Sequence, residues 1–206
     1  MITMAITGGV ATGKSAVVAQ LTQIWGEHAA SFSADAAVHE LLTRPDIKTK
    51  IGEVFGSSVF DEAGAIDRSQ LRQVVFRTPP LRRDLEAILH PEVFVAGQQA
   101  HLLAKKSDRS LFVYEIPLLY EVDSKHQRDL DLVVASSEDV QRSRMAERRG
   151  LDPETIENLL RSQMPLSVKL ERADVVIWND GTETELEEQV HVLSSLIHHR
   201  LESLPR

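Results

Sequence analysis

The sequence contains no cysteine among its 206 residues, and this absence excludes several kinds of chemistry. Disulfide frameworks, thiolate zinc sites, iron–sulfur clusters and cysteine nucleophiles all need the missing side chain. Nothing therefore supports a secreted, oxidatively folded protein, and we expect the chain to be cytoplasmic. The first seven residues carry no basic stretch, so a β-strand is expected there and not a signal peptide.

Long apolar runs and an excess of positive charge are also missing. No stretch approaches the roughly 18 consecutive apolar residues of a membrane helix, so we expect no membrane partner. Lys and Arg number 23 against 31 Asp and Glu, which gives a net charge of −8. Because nucleic-acid binding depends on Lys and Arg neutralising phosphates, this charge argues against a nucleic-acid partner. A local basic cluster for a small anion remains compatible with it.

Short apolar runs alternate with longer stretches of helical periodicity. This pattern is typical of an α/β fold in which helices cover a parallel sheet. The length suits one domain. The predicted strands are residues 2–7, 29–33, 111–116, 130–135 and 174–178.

Residues 36–110 separate the second and third predicted strands and are too long for one crossover. Helical spacing of apolar residues predicts a helical insert there, with Ser69 as the cap of one helix. The Thr78-Pro79-Pro80 turn is expected to separate two insert helices.

Capping signals mark three helices in the C-terminal part of the chain. The first opens with acidic residues at 138–139 and ends at Gly150. Asp152 followed by Pro153 is typical of the start of a second. The last opens with Thr182 and Glu185, which predict a capping box.

The segment Gly8-Gly-Val-Ala-Thr-Gly-Lys14-Ser15 matches the phosphate-loop pattern G-x-x-x-x-G-K-[ST]. A predicted strand precedes it and a helical pattern over 16–24 follows, which is the context that the motif needs. Backbone N–H groups of such a loop hold a phosphate chain. Lys14 would reach the β- and γ-phosphates, and the Ser15 hydroxyl would ligate Mg²⁺. The sequence therefore predicts a protein that binds a nucleoside triphosphate.

Other phosphate-loop classes lack their signatures here. The sequence lacks the Asn-Lys-x-Asp motif with which GTPases bind guanine and the Leu-Ser-Gly-Gly-Gln motif of transporter ATPases. Asp61-Glu-Ala-Gly64 matches the GTPase pattern D-x-x-G, but it does not end a buried strand and is interpreted as a plain turn. A small-molecule kinase fits best. A kinase for another small acceptor, such as a nucleoside or nucleotide, and a nucleotide-dependent switch protein are the alternatives.

Asp35 follows the second predicted strand directly, at the carboxyl edge where open α/β sheets bind ligands. This position suits a general base for an acceptor hydroxyl. It equally suits the N-cap of a helix over 36–42, and the two roles can coexist.

Four arginines crowd the helix that begins near residue 138: Arg142, Arg144, Arg148 and Arg149. Together with Gln163 they are interpreted as a lid that folds over the triphosphate. The alternative is a solvated helix face with arginines at its C-terminal end.

The chain resembles the dephospho-CoA kinase family between residues 6 and 182. Seven pieces carry the resemblance in order: Thr7–Ser15 (T-G-G-I-x-S-G-K-S), Ala34-Asp35 (end of D-A-D), Gly64–Arg68 with Leu71 and Phe76, Leu85–Pro91 (L-E-x-I-x-H-P), Ile116–Glu121 (P-L-L-F-E), Gln141 to Gln163 (lid), and Ala173–Gly181 (A-D-x-V-I-x-N-x-G).

The resemblance implies an enzyme that transfers the γ-phosphoryl of ATP to the ribose 3′-hydroxyl of dephospho-CoA, the last step of coenzyme A biosynthesis. It also implies a P-loop kinase-like fold, a three-layer sandwich. The protein is expected to be a monomer or a weak homo-oligomer. The expected parts are a core of residues 1–35, 111–137 and 173–206, an insert over 36–110 that holds dephospho-CoA, and a lid over 138–172.

The resemblance also assigns roles to particular residues. The ATP site would be formed by Gly8, Gly9, Ala11, Thr12, Gly13, Lys14, Ser15, Ala16, Asn179 and Gly181. The catalytic residues would be Asp35 as base with Lys14, Arg144 and Arg148. Substrate binding would use Asp35, Arg68, His90, Pro117 and Leu118. His90-Pro91 has an alternative as a helix-ending pair that packs the insert against the sheet.

Three positions depart from the family pattern. Ala11 stands where Gly is usual, Ala16 where Thr is usual, and Ser33 where the first Asp of D-A-D is usual. If that Asp serves Mg²⁺, Glu115 becomes the candidate metal carboxylate beside Ser15. The alternative for Glu115 is a buried structural acid.

Overall fold

A computed structural model describes residues 1–203, apart from the side chains of Phe76, Arg77 and Arg149. Phe76 of the family motif and Arg149 of the arginine run therefore lie outside the described side chains. No helix within residues 1–203 combines the length and the apolar character that crossing a bilayer requires.

Five strands form one sheet: β1 (Ile2–Gly8), β2 (Ala29–Ser33), β3 (Leu111–Glu115), β4 (Leu130–Ala135) and β5 (Val175–Trp178). All pairings are parallel, and the order across the sheet is β2-β3-β1-β4-β5. The prediction of a five-stranded parallel sheet is confirmed, and every strand end lies within one residue of its predicted position. Strands β1 and β4 are buried along their whole length and β3 along most of it, so these three strands are continuous apolar runs in the sequence.

The helices connect and follow these strands. They are α1 (Lys14–Trp25), α2 (Ala34–Leu41), α3 (Pro45–Phe55), α4 (Arg68–Arg77), α5 (Pro79–Lys106), α6 (Glu138–Arg149), α7 (Pro153–Arg161), α8 (Leu166–Arg172) and α9 (Glu183–Glu202). The chain divides into two compact units. The first is Met1–Ser33 with the chain from Ala100 onward, and the second is Ala34–Gln99.

The first unit has helices on both faces of the sheet. Side chains alternate along β1, so Ile2, Met4 and Ile6 pack in one apolar cluster with α1 and α9. On the opposite face the His101 ring lies 5.2 Å from the ring of Phe112. Helix α8 packs against β4. The predicted three-layer arrangement of helix, sheet and helix is therefore confirmed.

The second unit has an apolar cluster of its own. Its buried members come from α2 to α5 and include Leu41, Ile51, Leu71 and Leu89. Helix α3 was not predicted, because Ile47 and Ile51 are its only buried residues and one such pair is a weak periodic signal. The second unit covers most of the predicted insert. Residues 100–110 group with the first unit instead.

Most of the predicted helix ends are confirmed. Ser137 caps α6 and Gly150 ends it in a left-handed conformation, while Asp152 caps α7 with Pro153 at the first position. Thr182 and Glu185 form the predicted capping box of α9. The Asp61 carboxylate accepts hydrogen bonds from the N–H groups of Ala63 and Ala65, so this segment is the predicted turn.

The predicted cap at Ser69 is wrong. Asp67 is the N-cap of α4, and its Oδ1 accepts the N–H of Ser69 at 2.9 Å and that of Gln70 at 3.1 Å. The Ser69 hydroxyl donates to the same oxygen. A carboxylate accepts N–H groups more strongly than a hydroxyl does, so the helix starts where Asp67 can serve its first turn.

Pro91 does not end a helix, contrary to the alternative considered for His90-Pro91. It lies inside α5, which continues to Lys106. Proline removes one intrahelical hydrogen bond, but a helix of 28 residues keeps the others. Burial of Leu89 and packing of Leu85 and Val93 on the apolar cluster hold the helix on both sides of the proline.

A histidine is buried in the connection between β3 and β4. The His126 ring lies 4.4 Å from the Tyr114 ring and 6.4 Å from the Phe32 ring, between centroids. Burial, followed by the positive charge of Arg128, lowers the pKa of His126 to about 4. In the unfolded chain His126 takes up a proton near pH 6.5, whereas in the folded chain it does so only near pH 4.

The free energy of unfolding is therefore expected to fall as the pH drops from 6.5 toward 4. Replacing His126 with Phe keeps a ring and removes the titration. Between pH 7.5 and pH 5, the free energy of unfolding of the wild-type protein should fall by about 2 kcal/mol more than that of His126→Phe. Urea unfolding at both pH values measures this difference, and parallel losses in the two proteins would contradict the assignment.

Candidate active site

The phosphate loop, residues 8–15, joins β1 to α1 at the carboxyl edge of the sheet. Its backbone has positive φ at Gly8 (147°), Ala11 (58°) and Gly13 (98°). A Cβ on Gly8 would lie 2.1 Å from the Val134 carbonyl oxygen, and one on Gly13 would lie 2.3 Å from Asn179 Nδ2. Glycine is required at both places because neighbouring groups approach the bare backbone.

Ala11 adopts a left-handed conformation that favours glycine. Its φ of 58° costs a residue with a Cβ roughly 1–2 kcal/mol. The family position is usually Gly, so this chain carries strain that the family pattern avoids. The loop keeps its shape because contacts from other elements hold it.

Two side chains bind the loop from distant parts of the sequence. Asn179 is buried, and its Nδ2 donates to the Thr12 carbonyl oxygen at 2.8 Å. The Val10 N–H donates to Gln163 Oε1 at 2.9 Å. The structure thus brings Asn179 and Gln163 to the loop, while their assigned roles at the adenine and in the lid stay predictions. Gly181 lies two residues beyond Asn179 and is exposed.

The Lys14 ammonium lies folded over the loop. Its Nζ donates to the Gly9 carbonyl oxygen at 2.7 Å and to that of Gly8 at 3.3 Å. Lysine carries its charge on a flexible four-carbon stem, so the ammonium can exchange carbonyl oxygens for phosphate oxygens. Thr12 is buried, whereas Ser15 and Ala16, in the first turn of α1, are exposed.

Ser15 and Glu115 meet at the carboxyl edge of the sheet. The Ser15 hydroxyl donates to Glu115 Oε1 at 2.5 Å. Glu115 ends β3, where its backbone lies opposite both Ser33 on β2 and Ile6 on β1. The carboxylate that neighbours Ser33 therefore stands beside the serine of the phosphate loop. Hydroxyl and carboxylate oxygens are the hard donors that Mg²⁺ prefers, and one or two of them suffice when phosphates complete the shell.

The arginines of α6 separate into different environments. Arg144 Nη1 lies 3.4 Å from the Ala11 carbonyl oxygen and 3.2 Å from Ser136 Oγ. Burial, followed by the charge of Arg148, lowers the pKa of Arg144. Arg148 is exposed one turn later. Arg142 instead donates to Glu157 on α7, so the solvated-face interpretation describes that side chain.

The structure corrects one interpretation of Asp35. Helix α2 begins at Ala34, so Asp35 lies inside its first turn and is not an N-cap. The carboxylate is exposed. The helix starts earlier than predicted because it follows β2 with no intervening loop. The role of Asp35 as a base stays a prediction.

The remaining substrate candidates lie in different places. Arg68 begins α4 and His90 lies in α5, and both are exposed in the second unit. In the first unit, the Pro117 carbonyl oxygen accepts the Thr7 hydroxyl at 3.0 Å. Leu118 follows it and is half-buried.

Three residues near the loop were not given a role from the sequence. Ser136 donates to the Asn179 carbonyl oxygen at 2.9 Å, and Lys169 forms a buried ion pair with Glu121 at 2.8 Å. Glu121 is the last residue of a family motif, and this position is only a weak indication that it has a role. Lys169 is a single lysine in a polar helix, and nothing in its sequence surroundings indicates that it is buried.

Comparisons with known proteins agree on one family. The family model described as dephospho-CoA kinase matches residues 2–185. The chain is 35% identical to dephospho-CoA kinase of Syntrophotalea carbinolica, covering 94% of this chain and 90% of that protein. It is 37% identical to that of Desulfotalea psychrophila, covering 86% and 88%.

A solved structure is similar in fold and sequence. The crystal structure of TT1252 from Thermus thermophilus superimposes with a TM-score of 0.75 at 31% identity. The match covers 95% of this chain and 97% of that one.

Relief of the strain at Ala11 gives a stability prediction. Ala11→Gly should raise the free energy of unfolding by up to about 1 kcal/mol, since the relieved strain exceeds the added freedom of the unfolded chain. The same substitution at Ala19, an exposed position within α1, should lower it by about 1 kcal/mol. Urea unfolding of both variants measures the two signs. A loss of stability in Ala11→Gly would show that residue 11 is not strained.

Proposed function

The chain belongs to the dephospho-CoA kinase family, and we propose that its phosphate loop, Asp35 and the α6 arginines carry out the family's reaction. It is an ATP-dependent phosphotransferase that acts on an alcohol group. The γ-phosphoryl of ATP goes to the ribose 3′-hydroxyl of dephospho-CoA, which yields CoA and ADP.

The proposed ATP site is the phosphate loop with the first turn of α1. The first N–H groups of a helix have no intrahelical acceptor, and the helix dipole favours an anion there. Lys14 supplies a mobile positive charge next to these groups. Asn179 fixes the loop at Thr12, so the segment from Asn179 to Gly181 is proposed to lie near the adenine.

Ser15 and Glu115 are proposed to hold Mg²⁺. Their hydrogen bond shows that the two oxygens lie next to each other at the end of the phosphate loop. Mg²⁺ held there would supply positive charge against the negative charge that develops during transfer. The contact between Ser15 and Glu115 favours the metal role of Glu115 over that of a purely structural acid.

Asp35 is proposed as the base that accepts the proton of the 3′-hydroxyl. Only Ala34 separates it from Ser33, where β2 ends at the carboxyl edge of the sheet. Its exposed carboxylate is able to take up a proton from a bound substrate. Lys14, Arg144 and Arg148 are proposed to stabilise charge on the oxygens of the transferred group.

The acceptor is proposed to bind along the helical insert and the segment after β3. The candidates are Arg68, His90, Pro117 and Leu118. Arg68 and His90 belong to the insert pieces Gly64–Arg68 and His90-Pro91, which kinases for nucleosides or nucleotides are not expected to carry. The match of the family model over residues 2–185, which includes the whole insert, is the observation that carries this choice of acceptor.

Incubation with MgATP and a panel of acceptors tests the function. Dephospho-CoA should gain one phosphoryl group by mass spectrometry, whereas a nucleoside, a nucleotide and shikimate should not. Asp35→Asn should lower kcat by at least about a hundredfold. Asp84→Asn, an exposed carboxylate on α5, is the matched control and should keep its activity. No phosphorylation of dephospho-CoA by the wild-type protein would overturn the function, and full turnover in Asp35→Asn would remove the base.

A further inference from the structure

A buried ion pair lies behind the phosphate loop and takes no part in the proposed chemistry. Lys169 on α8 is 1% exposed, and its Nζ lies 2.8 Å from Glu121 Oε1. The same ammonium donates to the Pro117 carbonyl oxygen at 3.3 Å. Glu121 Oε2 is also buried and has no hydrogen-bond partner among residues 1–203.

Such a pair needs an explanation other than stability. Removing two charges from water costs several kcal/mol per ion, and an apolar pair of similar volume is often as stable. Lys169 is too deeply buried to contact a nucleotide directly. Its effect on the site must therefore pass through the groups that it holds in place.

Hydrogen bonds connect this pair to the loop. Glu121 Oε1 also accepts the Met164 N–H at 3.0 Å. Met164 directly follows Gln163, whose side-chain oxygen accepts the Val10 N–H of the phosphate loop at 2.9 Å. A carboxylate held by Lys169 thus fixes the backbone next to the residue that holds the loop.

A second connection runs through Pro117. Its carbonyl oxygen accepts both the Lys169 ammonium, at 3.3 Å, and the Thr7 hydroxyl, at 3.0 Å. Thr7 is the penultimate residue of β1, directly before the loop. The pair is therefore connected to the loop at Val10 and to the strand that leads into it.

We propose that the Glu121–Lys169 pair is a positioning element that holds Gln163 against the phosphate loop and so keeps the loop in its nucleotide-binding shape. Its consequence for catalysis rests on the proposed function, but its effect on the loop does not. Loss of the pair should release the Val10 N–H and weaken ATP binding.

Amide hydrogen exchange of Val10, measured by NMR on the nucleotide-free protein, tests the proposal without any assay of activity. Lys169→Met should speed exchange at Val10 about five- to tenfold, the factor that the net loss of one hydrogen bond allows. Gln163→Ala should have the same effect, and the double variant should be no faster than the faster single variant. Lys125→Met, at an exposed lysine in the same unit, is the control and should leave Val10 unchanged.

The E121L/K169M pair guards against a folding defect, since it leaves no charge buried alone and also removes the acceptor of the Met164 N–H. It should unfold at a temperature close to that of the wild type and still exchange Val10 as fast as Gln163→Ala. In steady-state kinetics these variants should raise the KM for ATP about five- to tenfold. Gln163→Ala keeps the contact of Lys169 with Pro117, so it should leave the KM for dephospho-CoA unchanged. Wild-type protection of Val10 in the folded E121L/K169M protein would overturn the proposal, even if the enzyme phosphorylates dephospho-CoA as expected.

Discussion

The backbone of residues 8–15 must turn its N–H groups toward one phosphate chain, and the rest of the site depends on this constraint. Three residues of the loop have positive φ, and one of them is an alanine. Residues 9–12 lie in neither a helix nor a strand, so their backbone depends on contacts with side chains. It is held by Asn179 at Thr12 and by Gln163 at Val10, which lie 167 and 153 residues away in sequence.

Strand order explains why these distant groups meet. β1 lies in the middle of the sheet, with β3 on one side and β4 on the other. The end of β3 therefore brings Glu115 to Ser15, and the end of β4 brings Ser136 to the segment that carries Asn179. Parallel strands all end at one edge, so a loop, a carboxylate and an arginine helix converge there without a dedicated scaffold. A chain with a net charge of −8 can thus still offer a phosphate chain Lys14 and Arg144.

Local signals made much of this structure predictable. The buried strands are short apolar runs, the phosphate loop is a fixed motif, and the Thr182–Glu185 capping box is a four-residue signal that needs no tertiary contact. Where two local signals competed, one failed: Asp67 outcompetes Ser69 as a cap. Pro91 does not end its helix as a proline signal suggests, because the packing of a long helix outweighs one lost hydrogen bond. The Glu121–Lys169 pair is purely tertiary, since neither residue has a local partner that would reveal its burial.

We expect the loop backbone to be formed before nucleotide binds, since Asn179 and Gln163 hold it, and the Lys14 side chain to move on binding. Crystal structures of the protein without nucleotide and with ADP and Mg²⁺ test this expectation. The backbone of residues 8–15 should superimpose within about 1 Å between the two, while Lys14 Nζ leaves the Gly8 and Gly9 carbonyl oxygens for a phosphate. A change in the sign of φ at Ala11 or Gly13 between the two structures would contradict it.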